Sequence, residues 1–423
     1  VSQPGTRLPG RLASERMLFA GRYEVIGELG SGGMGKLLLA RAPRGARVVI
    51  KTAHSRDDDE RLRDEARVGM RLMHPNIVET LDLLEHEGRP ALVTAYVPGA
   101  SMFDLRRRGP LPTTVVCRIC HQIAEALDAL HEAVDEHGRP LQMLHRDVTP
   151  GNVLLGYDGA ARLIDLGIAR SLESRAERTE SGAVRGTLRY LAPELFASGP
   201  HSVRSDLWSL GVVLFEAMLG REATRGPIAA AVGRIVSGKI MEIDATERAE
   251  PAVVRGVAQL LRMDPLARPA RARDAAALFA MLEKQLADGR DVAEEGRHAV
   301  IAAMGPEPDQ RRETSQEAVN RAKEMFFAEA RLRTTGLADV ADVAACAEGG
   351  RTAPEHPSSA LLLEDELVEP ARTVPDRQTP ASMPPTERLP RTQTPNDALR
   401  EYARRLQELE SRGSPRGPRA SRN

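Results

Sequence analysis

The feature that most restricts the fold is a glycine-rich loop between two strand-like segments, "YEVIGELGSGGMGKLLLARAPRGARVVIK" at residues 23–51. Its glycines follow the pattern G-x-G-x-x-G at Gly30, Gly32 and Gly35. Dinucleotide-binding folds share this spacing, but their loop has to open a helix. Here the apolar runs "KLLLARA" and "RVVIK" follow the loop and have the composition of strands. The sequence therefore predicts two strands joined by a glycine loop whose backbone N–H groups can approach phosphate oxygens.

Lysine is rare in this chain, so Lys51 at the end of the apolar run "VVIK" is conspicuous. An ammonium group on an apolar strand is costly unless it is paired, although a solvent-facing lysine at a sheet edge is the alternative. A helix predicted over 58–73 offers Glu60 and Glu65 as partners. Glu60 lies on a polar face, whereas Glu65 shares a stripe with apolar residues and should face inward. We therefore expect Glu65 to pair with Lys51.

Two later loops carry acids and an amide that suit Mg-ATP chemistry. "HRDVTPGN" at 145–152 holds Asp147 and Asn152, and "LIDLG" at 163–167 holds Asp165. Asp147 can accept the proton of an acceptor hydroxyl, while Asn152 and Asp165 can hold magnesium ions that bridge phosphates. Each residue alone is an ordinary loop residue, but the order after a glycine loop and an apolar-strand lysine indicates phosphoryl transfer.

Composition narrows the functional class further. The chain has 423 residues, with 59 basic and 60 acidic side chains and 3% aromatic residues. This charge balance and low aromatic content give no argument that the chain binds nucleic acid or a membrane surface. It contains no apolar window long enough for a membrane span and only three cysteines, which predicts a cytoplasmic protein. "CRICH" at 117–121 matches a haem-attachment string, but its cysteines lie within a helical pattern over 112–134 whose apolar stripe includes Cys120. Burial as small hydrophobic side chains is the favoured interpretation.

Seven motifs together resemble one family. "LGSGGMG", "VVIK", "HRDVTPGN", "DLG", "GTLRYLAPE", "SDLWSLG" and "DPLARP" occur in the order found in bacterial eukaryotic-type (Hanks-type) serine/threonine protein kinases, and residues 21–286 resemble that family. The resemblance implies an α+β, bilobal protein-kinase fold with a small β-rich N-lobe and a larger α-helical C-lobe. It implies ATP and Mg²⁺ as cofactors and ATP-dependent phosphorylation of serine and threonine on proteins. Autophosphorylation in the activation segment would accompany this activity.

The resemblance also assigns roles to single positions. Catalytic roles fall on Asp147, Lys51, Asn152 and Thr149, and metal-binding roles on Asn152 and Asp165. The implied ATP-binding residues are Leu29, Gly30, Gly32, Gly33, Gly35, Leu37, Val49, Lys51, Glu65, Thr94 (gatekeeper), Tyr96 and Val97 (hinge) and Leu154. Phosphorylation in the activation segment would fall on Thr179, Ser181 and Thr187. Structural roles are implied for Arg146, Glu194, Asp206 and Arg268.

The chain departs from the family pattern at three places. Leu166 stands in "DLG" where phenylalanine is usual, and Gly69 stands where the helix after Glu65 normally has a larger apolar residue. Thr149 replaces a lysine that touches the γ-phosphate and the acceptor. The last departure leaves a second interpretation open, an ATP-binding pseudokinase or scaffold that recruits partners through its tail.

The remaining segments differ from the kinase-like part in composition. An apolar stripe through Val319, Ala322, Phe326 and Ala330 predicts a docking helix. Thr379-Pro380 and Thr394-Pro395 lie in a Pro/Thr-rich stretch and are either docking sites for a phosphothreonine-reading partner or plain linker. The predicted organisation is an N-terminal arm (1–20), a kinase domain (21–288), a helical extension (289–349), a disordered linker (350–396) and a short charged helix with tail (397–423).

Overall fold

Strands dominate the first part of the chain and helices the second. The structure, a computed structural model, describes residues 17–32, 35–166, 188–197, 199–224, 226–241, 250–308, 313 and 315–323. Among the helices of these ranges, none has both the length and the hydrophobicity that a membrane span requires.

A six-stranded antiparallel sheet forms the N-terminal region, with strand order β1-β2-β3-β4-β6-β5. Side chains alternate across it, so Val48 and Ile50 pack with Phe19 and Tyr23 on one face, while Lys51 points to the other. The sheet begins at Leu18, inside the stretch predicted as an arm. The strands are β1 (Leu18–Phe19), β2 (Tyr23–Gly32), β3 (Gly35–Arg41), β4 (Arg47–Thr52), β5 (Thr80–His86) and β6 (Arg89–Ala95).

One helix, α1 (Arg56–Gly69), packs against this sheet. Ser55 is its N-cap and accepts a hydrogen bond from the backbone N–H of Asp58, which satisfies an N–H that has no partner within the helix. Leu62 and Ala66 bury the inner face of α1 against the sheet. The helix spans two residues more at its start, and four fewer at its end, than the predicted 58–73.

The helical region surrounds a small three-stranded sheet of order β7-β8-β9. Helix α3 (Thr113–His131) packs along α8 (Ala272–Ala287) and against α5 (Val203–Leu219). Helix α5 places Trp208 and Phe215 in the centre of the core. The elements are β7 (Gly99–Ser101), α2 (Met102–Arg106), α3 (Thr113–His131), β8 (Val153–Gly156), β9 (Ala161–Leu163), α4 (Pro193–Phe196), α5 (Val203–Leu219), α6 (Ile228–Val236), α7 (Pro251–Leu260), α8 (Ala272–Ala287) and α9 (Val292–Met304).

The two cysteines of "CRICH" lie inside this core. Cys117 and Cys120 are fully buried on α3 among the apolar side chains of the helical region. Burial, with a further contribution from Glu283, raises the pKa of Cys117 to about 12. The interpretation of these cysteines as small hydrophobic core residues is confirmed.

The chain after the kinase-like part continues in close contact with it. Helix α9 buries Val292 and Val300 in the core of the helical region. Residues 315–323 are helical, and Val319 and Ala322 of the predicted stripe are buried there. Phe326 and Ala330, the other members of that stripe, lie outside the described residues.

Candidate active site

The side chains of Lys51, Glu65 and Asp165 meet at one end of the cleft between the sheet and the helical region. Lys51 Nζ donates to Glu65 Oε2 at 3.0 Å and to Asp165 Oδ1 at 3.3 Å. The side chains of Lys51 and Glu65 are each only 14% exposed, so the ion pair is shielded from solvent. Glu60, the other candidate partner, is exposed. The inward-facing stripe of α1 therefore carries the carboxylate that reaches Lys51.

A second polar pair lies in the loop 145–152. Asn152 Nδ2 donates to the backbone oxygen of Asp147 and to its Oδ2, both at 2.9 Å. The backbone N–H of Asn152 also donates to Thr149 O at 3.0 Å, which closes the loop into a tight turn. Thr149 is 4% exposed within this turn. The loop thus holds the Asp147 and Asn152 side chains in fixed relative positions.

Asp206, in the first turn of α5, is hydrogen-bonded to the backbone of this loop. Its carboxylate accepts hydrogen bonds from the backbone N–H groups of His145 and Arg146 at 2.8 Å each, and from His131 Nε2 at 2.9 Å. Burial opposes ionisation of Asp206, but the hydrogen bond from His131 and the charges of His131 and His145 lower its pKa below the ordinary value. Asp206 is therefore an ionised acceptor at neutral pH.

Two residues beside the site have left-handed backbone conformations that side chains other than glycine rarely adopt. Arg146 has φ 61° and Asp165 has φ 52°. The bond from Arg146 N to Asp206 helps hold the first of these conformations. Backbone strain of this kind persists only where surrounding contacts impose it, and it clusters at functional sites.

Glu194 and Arg268 form a buried ion pair in the helical region. Arg268 Nη1 and Nη2 each donate to one carboxylate oxygen of Glu194 at 2.8 Å. The guanidinium also lies over the ring of Trp208, 4.8 Å from its centroid. The pair thereby ties α4 to the loop before α8.

An apolar cavity continues from the Lys51 end of the cleft. Its lining includes Lys51, Glu65 and Asp165 together with the predicted adenine-contacting residues Leu37, Val49, Thr94, Val97 and Leu154. Leu29 and Tyr96 pack at the outer end, in a cluster with residues of the helical segment 315–323. Burial raises the pKa of Tyr96 to about 12, so its hydroxyl is neutral at physiological pH.

The glycine loop joins β2 and β3 at the edge of the cleft. Gly30, Gly32 and Gly35 belong to these strands, and Gly33 lies outside the described residues. Gly35 has φ 150°, and a Cβ there would overlap the carbonyl oxygen of Thr52. Position 35 therefore has to be glycine, because a side chain there would prevent the end of the loop from lying this close to β4.

The protein kinase domain family matches residues 23–279 of this sequence. The chain belongs to that family. Among curated proteins, its kinase domain is 36% identical over 235 residues to the tyrosine-protein kinase MasK of Myxococcus xanthus, covering 52% of this chain and 36% of the relative. It is 35% identical over 228 residues to the serine/threonine-protein kinase pkn2 of Myxococcus xanthus, covering 51% and 26%. It is 35% identical over 241 residues to the probable serine/threonine-protein kinase PkwA of Thermomonospora curvata, covering 56% and 29%.

The chain spans between about a quarter and about a third of the length of these curated relatives.

Sequence reasoning missed several contacts that shape the kinase site. It gave no role to His131, which donates to Asp206, or to Asn76, whose buried amide donates to Ala161 O at 2.8 Å. It also counted Gly69 as a departure from the family pattern, where a larger apolar residue is usual. A Cβ at Gly69 would overlap Thr80 Oγ1, so the glycine allows α1 to approach β5 closely. No local sequence pattern indicates these contacts, because the two residues of each contact lie in different elements of the chain.

Part of the predicted kinase site falls outside the described residues. These predictions are the phosphorylation positions Thr179, Ser181 and Thr187, together with Gly33 of the glycine loop.

Proposed function

We propose that this protein is an ATP-dependent serine/threonine protein kinase. The observation that carries the proposal is the convergence of Lys51, Glu65 and Asp165 on one end of an apolar cavity. A cation held between two carboxylates beside an apolar cavity suits the binding of a nucleotide polyphosphate. The sheet region and the helical region would be the two lobes of the kinase fold, with the nucleotide between them.

The polar residues divide naturally into phosphate, metal and proton-handling roles. Lys51, oriented by Glu65, would bind the α- and β-phosphates, and Asp147 would accept the proton of the acceptor hydroxyl. Asn152 and Asp165 supply an amide and a carboxylate, the oxygen ligands that suit Mg²⁺. Bound there, Mg²⁺ would neutralise charge on the phosphates. Asp206, Arg146, Glu194 and Arg268 would hold the surrounding backbone in place.

The apolar residues of the cavity would bind adenine. Leu29, Leu37, Val49 and Leu154 offer side chains above and below a flat ring, and Thr94 lies at the gatekeeper position. The hinge residues Tyr96 and Val97 offer backbone groups for hydrogen bonds to the ring edge. Gly30, Gly32, Gly33 and Gly35 would let the loop backbone reach the phosphates.

Serine and threonine are the proposed acceptors on the basis of the segment "GTLRYLAPE" at 186–194, which has the serine/threonine form. Two of the three relatives described above are named serine/threonine kinases and one a tyrosine kinase. Phosphoamino-acid analysis of the autophosphorylated protein distinguishes the two. Phosphotyrosine as the main product would overturn the serine/threonine assignment.

Thr149 is the observation that favours the alternative, an ATP-binding pseudokinase or scaffold. The family places a lysine at this position, and one preorganised donor in a closed site contributes about 10²- to 10³-fold in rate. Five residues with roles in the proposed reaction are nevertheless present, for binding phosphate or metal, orienting the lysine or accepting the proton. They are Lys51, Glu65, Asp147, Asn152 and Asp165. They favour an active enzyme over a pseudokinase.

We expect Thr149→Lys to leave the phosphotransfer rate similar or to raise it by no more than about tenfold, because Thr149 is one donor among several. The Thr149 position is buried, so thermal unfolding of the variant has to be checked alongside its rate. The measurement is labelled phosphate transfer to a generic basic protein. A wild-type protein that binds Mg-ATP but transfers nothing, with transfer restored in Thr149→Lys, would establish the pseudokinase instead.

Regulatory phosphates are proposed on the activation segment, at Thr179 and Ser181 ahead of Thr187. A phosphate there would be attracted to Arg146, next to the catalytic acid, since phosphorylated residues pair with arginine. We expect phosphopeptide mapping of active protein to find Thr179 or Ser181 modified and the Asp147→Asn variant to be bare. Unmodified Thr179 and Ser181 in the active wild type would count against the proposal.

Partners and location remain predictions. A protein substrate follows from the proposed activity, whereas Thr379-Pro380 and Thr394-Pro395 are either docking sites for a phosphothreonine-reading partner or, as their composition favours, plain linker. A cytoplasmic location rests on the low cysteine content.

A further inference from the structure

A helical segment that follows the kinase domain packs against residues assigned to the proposed nucleotide cavity. Residues 315–323 are helical, and Ala318, Val319 and Ala322 are its buried side chains. Ala318 and Ala322, one turn apart, lie in one apolar cluster with Leu29 and Val49. Two of the proposed adenine contacts are therefore also contacts of this segment.

Strand β4 fixes where this segment lies relative to the phosphate end of the cavity. Arg47, Val49 and Lys51 alternate along the strand and so point to the same face of the sheet. Lys51 contacts Glu65 and Asp165 at one end, while Arg47 pairs with Glu313 at the other. Val49 lies between them and contacts both the cavity and the segment. The segment thus packs against the sheet on the side of Val49 that is opposite the phosphate-binding groups.

An ion pair attaches Glu313 to the sheet region, and a hydrogen bond attaches the helical segment 315–323 to the end of α9. Arg47 Nη1 lies 2.5 Å from Glu313 Oε2, with the two side chains 4% and 5% exposed. Arg321 Nε donates to Glu313 Oε1 at 3.2 Å, and Arg321 Nη1 donates to Met304 O at 2.9 Å. If Arg47 were replaced while the segment stayed docked, the Glu313 carboxylate would remain buried with Arg321 as a cation partner, so the Arg47–Glu313 pair makes this docked position specific.

A glycine on β2 gives the segment its close fit. A Cβ added at Gly27 would overlap Cγ2 of Val319, so the helix can approach the sheet this closely only while position 27 lacks a side chain. Val319 and Gly27 are complementary in shape, which makes the contact testable by paired substitutions.

These contacts indicate that the segment borders the cavity and does not fill it. The side chains that meet Leu29 and Val49 are alanine methyl groups, and no larger side chain of this segment belongs to that cluster among the described residues. The cavity itself remains, lined by Leu37, Thr94, Val97 and Leu154 as well as by the polar end. We propose that Glu313 and the buried face of residues 315–323 form the outer wall of the adenine site, and that nucleotide affinity depends on their docking. This proposal rests on the proposed ATP-binding function.

The test compares two ligands in the full-length chain by calorimetry, Mg-ATP and Mg-tripolyphosphate. Tripolyphosphate lacks adenine and ribose, so it reports the phosphate end alone. Ala322→Glu puts an unpaired carboxylate into the apolar cluster, and we expect the Kd of Mg-ATP to rise by about tenfold or more while tripolyphosphate binding is unchanged. Ala302→Glu, the same substitution at an exposed alanine on α9, is the matched control and should change neither.

A second pair of variants guards against simple misfolding. Gly27→Ala should weaken Mg-ATP binding through its overlap with Val319, and Gly27→Ala combined with Val319→Ala should restore it. Unchanged Mg-ATP affinity in both Ala322→Glu and Gly27→Ala would overturn the proposal that the segment forms a wall of the adenine site. Tighter Mg-ATP binding in these variants would also overturn that proposal and would indicate that the segment is autoinhibitory. A wild-type protein that binds tripolyphosphate but not ATP would contradict the proposed function as well as the wall.

Discussion

Replacing Lys51 with methionine is expected to lower the phosphotransfer rate by at least about 10²-fold while the protein remains folded. Methionine keeps most of the length of the side chain but removes the cation between Glu65 and Asp165. The two carboxylates then have no cation between them, so the site repels a polyphosphate. Initial rates with labelled ATP and a Kd for Mg-ATP measure both consequences.

Lys36→Met is the matched control for this variant. Lys36 is exposed at the start of β3, directly after the glycine loop, and is the nearest other lysine in sequence. We expect Lys36→Met to retain most of the activity and Lys51→Met to unfold within a few degrees of the wild type. A Lys51→Met protein that transfers phosphate at close to the wild-type rate would remove Lys51 from the site.

Substitution of Asp147 by asparagine is expected to slow phosphotransfer by about 10²- to 10⁴-fold, the usual contribution of a general base. The amide has the same shape and can still accept the hydrogen bond that Asn152 Nδ2 now donates to Asp147 Oδ2. It cannot take a proton from the acceptor hydroxyl. The expected signature is therefore a lower kcat with an almost unchanged Kd for Mg-ATP, measured by single-turnover kinetics and calorimetry.

Asp288→Asn is the control for the chemistry of this substitution. Asp288 is exposed after α8 in a left-handed conformation, which asparagine adopts as readily as aspartate. It should change neither parameter. If Asp147→Asn instead weakened Mg-ATP binding and left kcat intact, Asp147 would be a nucleotide-binding residue and not the base.

The sequence was most informative where a single side chain conflicted with its surroundings. Lys51 on an apolar strand and Glu65 on an apolar helical stripe each required a partner of opposite charge, and the structure brings the two within 3.0 Å. The helical pattern of α3 also led to the expectation that its two cysteines are buried, and Cys117 and Cys120 are buried. Periodicity gave the bounds of α1 to within four residues and those of α3 to within three.

Contacts between distant parts of the chain were beyond the reach of that reasoning. The apolar stripe at Val319 and Ala322 predicted a docking helix, but nothing in the sequence indicated that this helix packs against Leu29 and Val49 of the sheet. Likewise, the packing of Gly69 against Thr80 depends on how closely α1 approaches β5, which no pattern within α1 encodes. Such features follow from the assembled core and not from local preferences.

The central claim, that this kinase domain is catalytically competent with Thr149 in its catalytic loop, is tested most directly by intact-mass measurement. The purified full-length protein is incubated with and without Mg-ATP, beside Asp147→Asn treated identically. The account predicts that the wild type gains mass in whole phosphoryl groups only when Mg-ATP is present, and that Asp147→Asn gains none. A wild-type protein that binds Mg-ATP but never gains a phosphoryl group, on itself or on a basic protein substrate, would contradict the account.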